Sequence, residues 1–69
     1  MDMRKLVGAN AARFRKERGM TQEALAEKSG LSQQYISSIE NGLRNPTIVT
    51  LYELAQALGV EHIELVRPM

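Results

Sequence analysis

Apolar residues along the chain recur at helical spacing and not at the two-residue alternation of a strand. Val7, Ala11 and Phe14 fall at i, i+4 and i+7 in a stretch that stops at Gly19, which predicts a first helix over residues 3–18. Arg15 follows Ala11 by four residues, so it borders that stripe and does not oppose it. Thr21 reads as the N-cap of a second helix over about 22–28, with Met20 and Leu25 in the two positions of a hydrophobic staple. After the Ser29-Gly30 turn the same grammar repeats. Ser32 is a cap, Leu31 and Ile36 form the staple, and a third helix is predicted over about 33–41, stopped by Gly42. Thr47 caps a fourth helix that ends before Gly59 and carries the stripe Ile48, Leu51, Leu54, Ala55 and Leu58. Residues 61–66 allow a short fifth helix, for which Glu61 is a poor cap, and Pro68 ends it. The expected fold is all-α, a compact domain of four to five helices in which two short, capped helices are joined by a tight turn.

Size sets the terms for stability. With 69 residues the chain is expected to form one domain, residues 1–69, near the lower limit for folding on a single hydrophobic core. It contains no cysteine, so neither disulfides nor a thiolate metal site can assist. Aromatic residues are only Phe14, Tyr35 and Tyr52, and a core of Leu, Ile, Val and Ala suits packed helices. No stretch is long and apolar enough to span a membrane, and no signal peptide is visible, so a cytoplasmic protein is expected.

Charge changes the picture through its distribution. The net value is +1, but residues 1–18 hold Arg4, Lys5, Arg13, Arg15, Lys16 and Arg18 against Asp2 and Glu17, while residues 47–69 hold Glu53, Glu61 and Glu64 against Arg67. Either the first helix lies near an anionic partner or its charges are simply solvated.

The third helix carries the candidate chemistry. On a helical wheel Ile36 and Ile39 face the core, with Tyr35 at one edge and Glu40 at the other. The opposite arc holds Gln34, Ser37, Ser38 and Asn41, and Gln33 projects from the first turn. No charge lies on that arc, where a merely solvated helix would usually carry Lys, Glu or Arg. Gln, Asn and Ser combine donor and acceptor capacity, and Gln can pair bidentately with the N6 and N7 edge of adenine. A generic polar face is the competing reading of these residues taken alone.

Nearly the whole chain resembles the helix-turn-helix domains of the phage repressor and Cro type, also called Xre-like. The matching residues are Arg15, Gly19-Met20-Thr21-Gln22, Leu25-Ala26, Gly30-Leu31-Ser32, Ile36-Ser37, Ile39-Glu40-Asn41-Gly42, Pro46-Thr47, Leu51 and Ala57-Leu58-Gly59-Val60. The resemblance implies sequence-specific binding of double-stranded DNA by a small transcriptional regulator, with the third helix in the major groove. It implies base contacts from Gln33, Gln34, Ser37 and Ser38, the first two resembling the glutamine pair of one repressor subgroup. It implies backbone contacts from Gln22, which also braces the reader helix, and from Ser32, Asn41, Arg44 and Asn45. Tyr35 is open between a base or sugar contact and a packing role that leaves its hydroxyl free to reach a phosphate. Arg15 and Glu40 are expected to form a structural ion pair, since opposite charges beside apolar stripes should be paired. Ala11 is smaller and Phe14 larger than is usual in the family, and the two can compensate in volume.

A pseudo-palindromic operator and a homodimer are the expected partners. Val49, Tyr52, Ile63 and Val66 are the candidate interface residues, and Leu65 is expected to close the core. Repressor, restriction-modification controller and antitoxin subtypes stay open, as does a protein-interaction module on the same fold. An enzyme is not expected: one histidine, no cysteine and no evident carboxylate pair supply neither catalytic nor metal-binding residues, and no cofactor or small-molecule effector is implied.

Overall fold

Asp2 starts the first helix by accepting the backbone N–H groups of Arg4 and Lys5 on its side chain. In the computed structural model, which describes residues 1–68, five helices follow: α1 Met3–Glu17, α2 Gln22–Ser29, α3 Gln33–Glu40, α4 Ile48–Leu58 and α5 His62–Leu65. Met69, the last residue of the expected domain, lies outside the described residues. The caps fall where the sequence places them. Thr21, Ser32 and Thr47 each accept the N–H three residues on, at 3.0–3.1 Å. Each such cap contributes about 1 kcal/mol, which matters for helices of two to three turns. Glu61 makes no side-chain cap bond, and α5 is correspondingly a single turn.

Leu25, Ile36, Ile39, Leu54, Leu58 and Leu65 are fully enclosed and form the centre of the core, each contributing roughly 1.5–3 kcal/mol by burial. Val7, Ala11 and Phe14 of α1 join them, and Met20 and Leu31, the residues that precede the caps in the two staples, pack at the edge. Helix α1 lies against α3, α4 and α5, while α2 packs on α3 and α4. The expectation that Leu65 closes the core is borne out, at 0% exposure.

Ile48 corrects the sequence reading. It belongs by periodicity to the α4 stripe but is 85% exposed. It is the first residue of α4, and the stripe that packs on the core begins one turn later, at the partly buried Leu51.

Close approach of α1 to the end of α3 depends on Gly8. A Cβ there would collide with the carbonyl oxygen of Ile39 and lie 3.0 Å from that of Glu40. At the other end of that contact, Gly42 takes φ 73°, and Gly42 and Leu43 donate back to the carbonyls of Ile39 and Ser38, closing α3.

Candidate nucleic-acid interface

The turn between α2 and α3 runs through Gly30, Leu31 and Ser32 and sets α3 across the molecule with its N-terminal residues outward. Ser32, Gln33 and Gln34 are exposed, Tyr35 is half-buried, and Ile36 and Ile39 are each 1% exposed. Ser37 and Ser38 are half-buried and so present less surface than the two glutamines. Asn41, Arg44 and Asn45 are exposed where the chain leaves α3. The residues expected to read bases therefore share one side of α3, and those expected to hold phosphates flank it. Ser32 is already engaged within the fold, its hydroxyl oxygen accepting the Tyr35 N–H at 3.1 Å.

Behind this surface lies a buried polar knot. Arg15 donates from Nε to Glu40 Oε2 at 2.7 Å and from Nη2 to Oε1 at 3.0 Å, a bidentate pair whose side chains are 12% and 7% exposed. The hydrogen bond to Glu40 raises the Arg15 guanidinium above its ordinary value, against the opposing effect of burial. Arg15 Nη1 also donates to the Met20 carbonyl at 2.8 Å, so α1, the start of α2 and the end of α3 are tied together. Gln22 completes the knot by donating from Nε2 to Glu40 Oε1 at 3.0 Å. The bracing role expected of Gln22 is thus visible as a hydrogen bond to the last residue of α3.

The arginines of α1 and its C-cap have carboxylate neighbours within the fold. Arg4 pairs with Asp2, Arg13 and Arg18 with Glu17, and Arg15 with Glu40. Arg13 and Arg18 also stack on the Phe14 ring, at 4.3 and 5.4 Å from its centroid. These four arginines share three carboxylates, and only the Arg15–Glu40 pair is withdrawn from solvent. Arg67 pairs with Glu64. Among the described residues Arg44 is the arginine without an ion pair, and its guanidinium lies over the Tyr35 ring at 5.0 Å.

Residues 12–65 match the family model HTH_3, described as helix-turn-helix. The chain belongs to the helix-turn-helix family. This helix-turn-helix chain is 69% identical, over 99% of its own length and 88% of the relative's, to an HTH-type transcriptional regulator of Sinorhizobium fredii. It is 46% identical to the immunity repressor protein of Bacillus phage phi105, over 80% of this chain and 38% of that protein. Among solved structures, the hypothetical transcription factor NHTF from Neisseria superposes with a TM-score of 0.93 at 34% identity, covering 97% of this chain and 77% of that one. The restriction-modification controller protein C.AhdI from Aeromonas hydrophila gives 0.87 at 37% identity, over 90% and 94% of the two chains. The protein is thus a DNA-binding transcriptional regulator of the phage repressor and Cro type.

Three features of this helix-turn-helix domain escape a reading of the sequence. Gly8 in mid-helix looks like a weak point of α1, and only the fold shows that it admits the carbonyls of α3. Asn10 is fully buried and donates from Nδ2 to the carbonyls of Leu65 and Arg67, both at 2.9 Å. Its place between Val7 and Ala11 was the available signal, a polar residue inside an apolar stripe. Lys5 counts in the sequence only toward the charge of α1, yet it lies against Gly42, next to the loop that holds Arg44.

Proposed function

We propose that this regulator is a repressor that binds a pseudo-palindromic operator as a homodimer, with α3 laid in the major groove. The observation that carries the reading is the contrast across α3. One side is apolar and buried, and the other offers uncharged amides and hydroxyls beside an arginine that has no carboxylate partner among the described residues. Gln33, Gln34, Ser37 and Ser38 read base edges, and the more exposed glutamines discriminate most. Gln22, Ser32, Asn41, Arg44 and Asn45 hold the sugar-phosphate backbone, and Tyr35 lies beside Arg44 at the rim of this set. The Arg15–Glu40 pair is structural; it fixes Gln22 and the end of α3 in place.

The second copy docks on the face formed by α4 and α5. Val49, Tyr52 and Ile63 are at least half-exposed there, Ile48 lies beside them, and Val66 lines the same groove. An apolar surface of this extent on a small domain is a marker of association. The controller C.Esp1396I, solved as a tetramer on its natural 35 base-pair operator, matches this chain with a TM-score of 0.86 at 38% identity. That neighbour supports both the DNA partner and assembly on it. A restriction-modification controller is the second reading, favoured because this chain spans 94% of C.AhdI. No effector is needed in either case, and the site of action is the cytoplasm, where operator DNA is found.

Salt dependence of binding to duplex DNA tests the proposal. Each neutralised phosphate adds a slope of about −0.9 to log K against log salt. A dimer using the named residues should show a steep slope and a preference for selected over random duplex. A flat profile with no preference would instead indicate a protein-interaction module on this fold.

A further inference from the structure

Tyr35 and Arg44 come from different elements, α3 and the loop before α4, and meet on the rim of the reader surface. The Tyr35 ring is half-buried and packs on the core, and its N–H is fixed by the Ser32 cap, so the ring is held from behind and below. Arg44 is exposed, makes no ion pair among the described residues, and has its guanidinium carbon 5.0 Å from the ring centroid. An ion pair or hydrogen bond would restrain an arginine by occupying its donors. A cation–π contact restrains it through the planar face and leaves all five N–H groups available.

From this geometry we propose that Tyr35 is a positioning residue for DNA binding: its ring is a shelf that presents the Arg44 guanidinium, donors free, for bidentate capture of a backbone phosphate. The inference rests on the reading that α3 lies in the major groove with Arg44 at its flank. It assigns the contribution of Tyr35 to its π-face and not to its hydroxyl. An arginine side chain loses much rotamer freedom when it is fixed on a ligand, and a preformed shelf removes part of that cost before DNA arrives. Because phosphates carry no sequence information, the shelf strengthens binding to all sites alike.

The test is a double-mutant cycle on the full chain with duplex DNA, read together with NMR of the free protein. In the free protein the Arg44 side-chain protons should show the upfield ring-current shift of a group over an aromatic face, retained in Tyr35→Phe and lost in Tyr35→Leu. Tyr35→Phe should bind within about twofold of the parent, whereas Tyr35→Leu should weaken all sequences on the order of three- to tenfold. In an Arg44→Ala background, Tyr35→Leu should have no further effect, and base preference should be unchanged throughout. The assignment would be overturned if Tyr35→Phe lost as much affinity as Tyr35→Leu, which would put the hydroxyl on DNA. It would also be overturned if the two losses multiplied independently, or if the ring-current shift were absent. Should Tyr35→Leu fold poorly, Tyr35→Phe and the ring-current shift still decide. Failure of the underlying reading looks different, because then Arg44→Ala and Gln34→Ala would both bind as the parent does.

Discussion

The Arg15–Glu40 pair shows how a single contact between charged residues can shape a domain this small. The pair is nearly buried, bidentate, and shared with Gln22 and the Met20 carbonyl. Removing one partner strands a charge, so Glu40→Leu alone should lower unfolding stability by about 3 kcal/mol or more, measured by denaturant titration. The double replacement Arg15→Met with Glu40→Leu should recover most of that loss, and if it did not, the pair would be stabilising on its own account. Since the guanidinium is held above its ordinary value, the contribution from the arginine side is fully present below that value and is lost only as pH rises through the raised one. The pair was legible in the sequence because both residues border apolar stripes at helical spacing. Gly8 was not, since nothing local distinguishes a glycine that admits a neighbouring helix from one that weakens its own. Gly8→Ala should raise helix propensity yet destabilise the fold by roughly 1–3 kcal/mol, because the contact it meets is backbone and cannot rotate away.

Among the elements, the capped helices were readable because their signals are local. Thr21, Ser32 and Thr47 act within three residues of themselves, and the structure repeats each cap. Ile48 was misplaced because periodicity fixes direction around a helix but not how far neighbouring helices extend along it. Helix α5 has no side-chain cap and is one turn long, so its place depends on a partner far away in sequence. Asn10 supplies that partner by satisfying the carbonyls of Leu65 and Arg67. Asn10→Ala should leave two carbonyls without their donor and cost about 1–3 kcal/mol. Hydrogen exchange should show the loosening concentrated at α5, with the amides of α2 and α3 much less affected; uniform loosening would mean that Asn10 supports the whole core instead.

For the whole molecule, the lopsided charge in the sequence is carried into the fold, since Asp2 and Glu17 are already part of the α1 region and Glu40 alone adds a compensating charge to it. Four arginines of the α1 region share Asp2, Glu17 and Glu40, while Arg44, Lys5, Lys16 and Lys28 are exposed and make no ion pair among the described residues. Of these pairings, Arg15–Glu40 is the one that joins residues far apart in sequence; the others are local. The apolar face of α4 and α5 sets the proposed assembly. Val49→Glu combined with Ile63→Glu, both on exposed positions, should preserve the melting transition while giving a monomer in sedimentation and weakening operator binding. A single monomeric species of the parent protein at high micromolar concentration would count against the dimer.

The division of labour around α3 is the central claim, and site selection from random duplex DNA by the parent, Gln34→Ala and Arg44→Ala proteins tests it most directly. Gln34→Ala should relax preference at one base position per half-site, a loss of roughly 1–3 kcal/mol at that position alone. Arg44→Ala should weaken every selected site equally and lower the salt slope by about one unit for each arginine–phosphate contact removed. If both variants kept the parent's affinity and preference, α3 would not be the reader.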